Sequence, residues 1–193
     1  MSFYTQKELQ DLGFKFIGDN VLISRKSSLY GIKNISIGDN SRIDDFCVLS
    51  SSENGEIVIG KNVHIAIYSS LIGQAKIEIK DFANISSRVS IYSSSDDFSG
   101  NFMTNPTIPD NFTNVVSKPV MLNKHVIIGS GSVILPGVVL DEGVAVGALS
   151  LVTKKFKDNV IISGVPARVI KERKKGYLEF ENKFNNEKLN LFR

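Results

Sequence analysis

The chain has a single cysteine, Cys47, among its 193 residues. An intrachain disulfide is therefore excluded, and the cysteine usage gives no indication of an oxidising compartment. The N-terminal segment has no basic stretch followed by an apolar one, and no part of the sequence has the length of a hydrophobic membrane span. We expect a cytoplasmic protein with no membrane span.

The sequence also has little excess of charge of either sign. The formal net charge is +3, with 42% hydrophobic and 22% charged residues, which is typical of a soluble globular protein. Lys171, Arg173, Lys174 and Lys175 contribute much of the positive excess near the C-terminus. A continuous basic face is not indicated, so no nucleic-acid partner is expected. The basic segment is either a local anion site or a solvated helical tail.

A six-residue period runs through most of the sequence, in which aliphatic residues recur with glycine and polar residues between them. Up to residue 91 the aliphatic positions form triplets, which are Ile17, Ile23, Leu29; Ile37, Ile43, Leu49; Ile59, Ile65, Leu71; and Ile79, Ile85, Ile91. After residue 118 the spacing is strictly six, through Leu122, Ile128, Ile134, Leu140, Val146 and Val152. Spacings of three and four, which an amphipathic helix requires, are absent from this pattern.

Each triplet predicts one coil of three short strands, with the aliphatic side chains pointing inward. The corners between strands carry Gly, Asp and Asn, which tolerate positive φ. Coils of this kind pair in parallel and stabilise one another, because no single coil buries its own apolar face. The period therefore predicts an all-β fold, a single-stranded parallel β-helix shaped as a triangular prism.

Two segments depart from the period. Residues 92–118 form a polar insertion containing Pro106 and Pro109, and a long loop inside a compact repeat is more often functional than idle. From about Ile170 the composition becomes helical and predicts a tail that caps the prism. We therefore divide the chain into an N-terminal cap (1–16), a β-helix domain (17–169) with the inserted loop 92–118, and a C-terminal helical tail (170–193).

Two stretches resemble a known family. VIIGSGSVILPGVVLDEGVAVGALSLVTK (126–154) and ISGVPARVI (162–170) are similar to the final coils, and to the segment after them, of hexapeptide-repeat acyltransferases. The similarity is strongest to the galactoside, maltose and xenobiotic acetyltransferase branch, and with the weaker repeats it covers roughly residues 15–173. It implies a left-handed β-helix, a homotrimer with active sites in clefts between subunits, acetyl-CoA as donor and a small-molecule sugar acceptor.

The resemblance also implies a set of coenzyme contacts. Ser130, Ala148 and Thr153 match small residues that let the pantetheine arm approach the backbone, where exposed amides would bind it. Lys154 and Arg168 match positions near the coenzyme phosphates, which attract cations. The alternative is that these residues only occupy positions of the repeat and do not contact a coenzyme, above all Ser130 and Ala148.

Acetyl transfer to a hydroxyl requires a base, for which histidine is well matched at neutral pH. In the family this base is a histidine at the start of the inserted loop, but the corresponding residue here is Asp96. His64 is our first replacement, because it precedes inward-facing Ile65 and projects from the second face of the prism. Asp96 or Asp97 from a neighbouring subunit would orient it. His125, at a corner, is the second candidate, and either histidine has a purely structural alternative.

Three further residues are candidate acceptor contacts. Asn84 and Arg88 flank Ile85 on the coil stacked above His64, and Tyr92 opens the inserted loop. Outward polar residues on a solenoid are often simply solvated, and loop side chains often satisfy their own turns.

The main functional prediction is an acetyl-CoA-dependent O-acetyltransferase of a sugar or polysaccharide precursor. An N-acetyltransferase of a nucleotide-linked amino sugar is the first alternative, for which one carboxylate would suffice as base. A non-catalytic β-helix that binds or supports other molecules is the second. A γ-class carbonic anhydrase binds zinc through three histidines, and this chain has two histidines and no cysteine cluster, so no metal is expected. A nucleotidyltransferase fusion would need an N-terminal Rossmann-like domain, for which there is no room before Ile17.

Overall fold

The recurring aliphatic residues line the interior of a triangular prism. The structure, a computed structural model, describes residues 2–191. Ile43, Ile65 and Ile85, which occupy the same position of successive coils, are each 0% exposed. Ile85 pairs in parallel register with Ile65 below it, and the strands of all three faces repeat this stacking. The predicted left-handed parallel β-helix is confirmed.

Each face of the prism is a sheet of short, stacked strands. The first face consists of Phe16–Ile17, Ile35–Ile37, Ile57–Ile59, Ile77–Ile79, Val120–Leu122 and Val139–Leu140. The second face consists of Leu22–Ile23, Arg42–Ile43, His64–Ile65, Asn84–Ile85, Ile127–Ile128, Ala145–Val146, Val160–Gly164 and Ala167–Glu172. The third face consists of Ser28–Tyr30, Val48–Ser51, Ser70–Gly73, Ser90–Tyr92, Val133–Ile134 and Leu151–Val152. Side chains that point outward at equivalent positions therefore form columns along the prism.

The corners of the prism hold particular side chains outward. The first corner joins the first face to the second, and it places Asn20, Asn40 and Asn62 in left-handed backbone conformations. Asparagine tolerates this conformation, whereas bulky residues adopt it rarely. Later coils nevertheless place Phe82 and His125 there, with φ of 61° and 58°. At this corner the geometry of the fold, and the contacts described below, override local preference.

The third corner, which joins the third face to the next coil, accommodates the extra residues. A 3₁₀ turn at Ile32–Asn34 fills it in the first coil, and the inserted loop leaves from it after Tyr92. The loop begins and ends as a short antiparallel pair, Ser94–Ser95 with Val116–Ser117, and contains a 3₁₀ turn at Asp110–Phe112. This pairing ties the base of the loop to the prism and so fixes where its first residues lie.

A short helix covers one end of the prism, and a pair of antiparallel strands extends the second face at the other. Helix α1 (Gln6–Asp11) begins with a capping box between Thr5 and Glu8 and buries Leu9 against the first coils. At the other end the strand Ala167–Glu172 pairs antiparallel with Val160–Gly164 and extends the second face. Helix α2 (Tyr177–Leu191) therefore begins later than the predicted start of the helical tail at residue 170. Neither helix in the described part of the chain is long and apolar enough to span a membrane.

Candidate functional site

The two adjacent aspartates of the inserted loop have different surroundings. Asp97 accepts hydrogen bonds from the backbone N–H of Ser99 (2.7 Å) and from the side-chain amide of Asn114 (2.8 Å). Hydrogen bonds from the Ser99 hydroxyl and the Asn114 amide lower its pKa. The carboxylate of Asp96 is exposed and has no partner among the described residues. Asp97 therefore stabilises the loop, and Asp96 is the carboxylate available to a ligand.

Asp96 lies between two recesses at the base of the loop. The larger, of about 490 Å³, is lined by Tyr92, Ser94, Ser95, Asp96, Phe98, Leu135 and Pro136. The smaller, of about 230 Å³, lies within the loop and is lined by Gln74, Ser94, Ser95, Asp96, Asn105, Pro106, Asp110, Thr113 and Val115. Tyr92 thus shares the larger recess with Asp96, as expected if both contact the acceptor. Aromatic and aliphatic groups line one side of this carboxylate, and polar groups line the other.

His64 lies on the second face, and its partner is a carboxylate that we did not predict. Its Nε2 is 2.9 Å from Oδ2 of Asp44, and its Nδ1 is 3.3 Å from Oδ1 of Asn84. Within the protomer, therefore, neither Asp96 nor Asp97 orients this ring. With a carboxylate at one nitrogen and an amide at the other, His64 has no unoccupied nitrogen to act as a base. The geometry favours the structural alternative for His64 over proton abstraction.

Asp44 joins His64 to Arg42. Its Oδ1 accepts a hydrogen bond from Nε of Arg42 at 2.7 Å. Burial alone raises the pKa of this carboxyl, but the hydrogen bonds and charges of Arg42 and His64 outweigh burial and lower it. Asp44 is therefore ionised at neutral pH. Arg42 pairs in register with His64 on the next coil, and Asp44 follows two residues later. This Arg-x-Asp segment is therefore a sequence signal for the cluster.

Asn84 and Arg88 have separate positions. Asn84 pairs in register with His64 and contacts its ring, as the stacking predicted. Arg88 lies at the second corner, between the second and third faces, with φ of 60°. Its guanidinium makes no hydrogen bond or ion pair with the described residues. Asn84 thus belongs to the His64 cluster, whereas Arg88 is an exposed cation beside it.

The second corner also brings Ser130 and Ala148 together on neighbouring coils. The carbonyl of Ser130 accepts a hydrogen bond from the amide of Leu149 at 2.9 Å, and the amide of Gly131 donates to Ser87. The amides of Ser130 and Ala148 themselves have no partner within the described chain. Both residues are exposed, with small side chains. The corner therefore presents a column of backbone donors, the feature that the resemblance implies for a pantetheine arm.

The other predicted coenzyme contacts lie apart in the protomer. Thr153 and Lys154 follow the last strand of the third face, and the Lys154 ammonium lies 5.6 Å from the ring centre of Phe156. Arg168 lies on the strand Ala167–Glu172 of the second face and donates to the carbonyl of Ala167 at 3.1 Å. A single protomer therefore does not gather all five residues around one ligand.

His125 anchors helix α2. Its ring stacks on Phe82 with centroids 5.0 Å apart and contacts Tyr177, while Nε2 lies 2.7 Å from Oε2 of Glu181. Its backbone carbonyl accepts a hydrogen bond from Arg173 at 2.9 Å. These contacts occupy both the ring and the backbone of His125. They favour its structural alternative over the role of base.

We expect Glu181→Gln to loosen α2. The Glu181 carboxylate also accepts from Lys124 at 2.7 Å, and although burial raises its pKa, the bonds from Lys124 and His125 lower it on balance. A lowered carboxyl pKa stabilises the fold above the unfolded value near 4.5, and that contribution is lost as pH falls through the folded pKa. At pH 7 the variant should lose about 1–2 kcal/mol of stability, measured by denaturant unfolding.

The exposed neighbour Glu179 provides the control for this prediction. Glu179→Gln changes the same charge in the first turn of α2 without touching His125 or Lys124. At pH 7 it should lose less stability than the Glu181 variant, because only its interaction with the helix dipole is removed. Equal stability of the Glu181 variant and the unchanged protein at pH 7 would contradict the anchoring role.

The side chains that usually bind metal ions are not clustered in the described part of the chain. In residues 2–191 no group of three or more His, Cys, Asp or Glu lies close enough to hold a metal ion. The candidate site is instead made of the exposed carboxylate of Asp96, the hydrogen-bonded cluster of Arg42, Asp44, His64 and Asn84 on the second face, and a column of backbone amides at the second corner. The fold and these groups fit the β-helical acyltransferase that the sequence resemblance implies.

Comparisons with known proteins extend this conclusion. No protein-family model matches the sequence. The chain is 53% identical to dTDP-4-amino-4,6-dideoxy-D-glucose acyltransferase of Escherichia coli, over 95% of each protein. It is 27% identical to galactoside O-acetyltransferase of Escherichia coli (strain K12), over 78% of this chain and 70% of that one. The chain therefore belongs to the hexapeptide-repeat acyltransferase family.

A solved structure agrees over nearly the whole chain. AntD, an N-acyltransferase from Bacillus cereus in complex with dTDP and 3-hydroxybutyryl-CoA, superposes with a TM-score of 0.92 at 52% identity. The match covers 96% of this chain and 97% of AntD. A variant of AntD with one serine replaced has been solved with dTDP-4-amino-4,6-dideoxyglucose and coenzyme A.

Proposed function

We propose that this protein transfers an acyl group from an acyl-CoA to the amino group of a dTDP-linked amino sugar, with dTDP-4-amino-4,6-dideoxyglucose as the acceptor. The observation that carries the proposal is the 53% identity to the acyltransferase of that name, over 95% of each protein. The same finding favours the N-acyl alternative over the O-acetyl transfer that we placed first. AntD, whose complexes contain dTDP and acyl-CoA, supports the same acceptor and donor classes.

The free carboxylate of Asp96 suits an amine acceptor. At neutral pH a sugar amine is largely an ammonium ion, which a carboxylate attracts and holds. The amine must lose a proton to attack the thioester carbonyl, and Asp96, which lines the recess, would receive it. An amide forms, the carbon–sulfur bond breaks, and coenzyme A leaves as its thiol. An amine is a better nucleophile than a hydroxyl, so no histidine is required at this position.

The amide column of the second corner suits the donor. A thioester under attack develops negative charge on its oxygen, and backbone N–H groups fixed in a rigid coil stabilise that charge. The unpaired amides of Ser130 and Ala148 are held in this way. They would bind either the pantetheine amides or the developing oxyanion.

A homotrimer with sites between subunits accounts for the dispersed contacts. Thr153 and Lys154 lie at the third corner of a protomer, whereas Ser130, Ala148 and Arg168 lie around its second face. Two subunits meeting at these regions would complete one donor site. In the same way Asp96 on one subunit's loop would face His64 and Arg88 on the next. The cytoplasmic location stays a prediction.

A substrate panel tests the function. The purified protein is incubated with acetyl-CoA or 3-hydroxybutyryl-CoA and each of three acceptors: dTDP-4-amino-4,6-dideoxyglucose, dTDP-glucose and a free galactoside. Release of coenzyme A thiol and the mass of the product are measured. We expect thiol release and an N-acylated product with the amino sugar nucleotide alone. Faster release with a hydroxyl acceptor would restore O-acetyl transfer, and no release with any acceptor would favour a binding module.

A further inference from the structure

We propose that the larger recess at the base of the loop receives the acyl chain of the donor, and that Leu135 sets the length of the chain that fits. The inference rests on the proposed function, since it assumes an acyl-CoA donor and Asp96 as the group that receives the amine proton. It assigns Tyr92 to the acyl chain, in place of the acceptor contact that the sequence suggested.

The walls of this recess are largely apolar. It is lined by Tyr92, Phe98, Leu135 and Pro136, together with Ser94, Ser95 and Asp96. Asp96 also borders the smaller recess, where hydroxyl, amide and carboxylate side chains predominate. The sugar of the acceptor carries hydroxyl groups and an amine, which match the polar recess, whereas an alkyl chain matches the apolar one. The two substrates would therefore approach Asp96 from different sides.

The apolar recess lies next to the place expected for the coenzyme. Tyr92, Leu135 and Thr153 each follow a buried residue of the third face, and those buried residues pair in register on three consecutive coils. Neighbouring strands lie about 4.8 Å apart, so Leu135 is one coil from Thr153 and Tyr92 is two coils from it. The sequence resemblance implies that the pantetheine arm approaches Thr153. A thioester held between Thr153 and Asp96 would direct its acyl chain past Leu135 towards Tyr92.

The recess is larger than an acetyl group requires. Its volume is about 490 Å³, whereas acetyl carries a single methyl group beyond the carbonyl carbon. Phe98, one of the lining residues, is 92% exposed. A chain of several carbons would cover more of these apolar walls than a methyl group and would gain more dispersion contacts with them. We therefore expect a donor with an acyl chain longer than acetyl.

Leu135 is the lining residue best placed to limit the chain length. Its backbone is fixed in the coil, because its amide donates to the carbonyl of Val152 at 3.0 Å. Its side chain is half-buried at the outer surface, next to the fully buried Ile134. Phe98, in contrast, belongs to the inserted loop. A larger side chain at Leu135 would shorten the recess and a smaller one would extend it, without repacking the core.

A series of donors tests this inference. The purified protein is given acetyl-, butyryl- or hexanoyl-CoA with dTDP-4-amino-4,6-dideoxyglucose, and kcat/KM for each donor is measured from thiol release. The value for butyryl-CoA should exceed that for acetyl-CoA about tenfold or more, the usual effect of filling an apolar pocket with further methylene groups. Leu135→Phe should lower the butyryl value about tenfold or more and the acetyl value much less. Leu135→Ala should raise the hexanoyl value relative to the butyryl value, a gain that misfolding does not produce.

Leu22→Phe is the matched control, with the same substitution at a 40% exposed position of the first coil. It should leave the ratio of butyryl to acetyl transfer unchanged. A preference of the unchanged protein for acetyl-CoA would overturn the inference. So would Leu135 variants that change all donor values in equal proportion, or only the KM for the sugar nucleotide, because the recess would then hold the sugar; the proposed function would stand in each case. If the unchanged protein acylates no amino sugar nucleotide, the proposed function fails and the inference fails with it.

Discussion

Replacing Asp96 with asparagine is expected to lower kcat for N-acylation by about 100-fold or more. Asparagine keeps the size and polarity of the side chain but neither attracts an ammonium ion nor accepts its proton. The affinity for coenzyme A should be unchanged, because the proposed donor contacts lie at the second and third corners and not in the loop. Steady-state kinetics with the amino sugar nucleotide and calorimetry with coenzyme A measure the two effects separately.

Asp97→Asn is the matched comparison, with the same chemical change one residue along the loop. Its carboxylate is bonded to Ser99 and Asn114, so the change should reduce loop stability more than it affects the chemical step. We expect kcat within a few-fold of the unchanged protein and a lower melting temperature. If both variants lose activity equally, Asp96 acts through the loop and not as the acceptor of the proton.

The prism was predictable because the repeated six-residue spacing of aliphatic residues determines it. An aliphatic residue at every sixth position has to be buried, and three such positions close one coil, so Ile65 and Ile85 were assigned inward without any knowledge of neighbours. The boundary of α2 was not predictable in this way. The segment after Ile170 has helical composition, but the open edge of the second face takes residues up to Glu172 as a strand. Pairing at a sheet edge outweighs local propensity there.

The site was predictable in position and less so in chemistry. Columns along the prism follow from the period, which is why Asn84 was correctly placed above His64. Which atoms meet within a column depends on rotamers and on the outward residue of the next coil. Asp44 was therefore missed, although it lies within hydrogen-bonding distance of His64. The contact between His125 and Glu181 was also missed, since it depends on how α2 packs and not on the repeat.

The position of Asp96 links the loop to the choice of acceptor. The sequence resemblance implies a histidine there in O-acetyltransferases, whereas this chain places a carboxylate with no partner among residues 2–191. A histidine removes a proton from a neutral hydroxyl, while a carboxylate both attracts and deprotonates an ammonium ion. We therefore expect this position to contribute to the choice between the two reaction types.

Replacing Ala148 with tryptophan is expected to raise the Kd for coenzyme A about tenfold or more. The unpaired amides of Ser130 and Ala148 lie on neighbouring coils, and a large side chain at the exposed corner would cover both. Two lost hydrogen bonds of about 1 kcal/mol each already correspond to more than a tenfold loss of affinity. The fold should tolerate the change, since Ala148 points away from the core. Calorimetric titration with coenzyme A gives the affinity directly.

Lys33→Trp places the same bulk on an exposed corner of the first coil and should bind coenzyme A normally. Binding of dTDP by the Ala148 variant provides an internal control, because the proposed acceptor contacts lie on earlier coils of the prism. Loss of coenzyme A binding with retained dTDP binding would place the donor at the second corner. Unchanged coenzyme A affinity would move the donor elsewhere, and Lys154 at the third corner would then be the next position to replace.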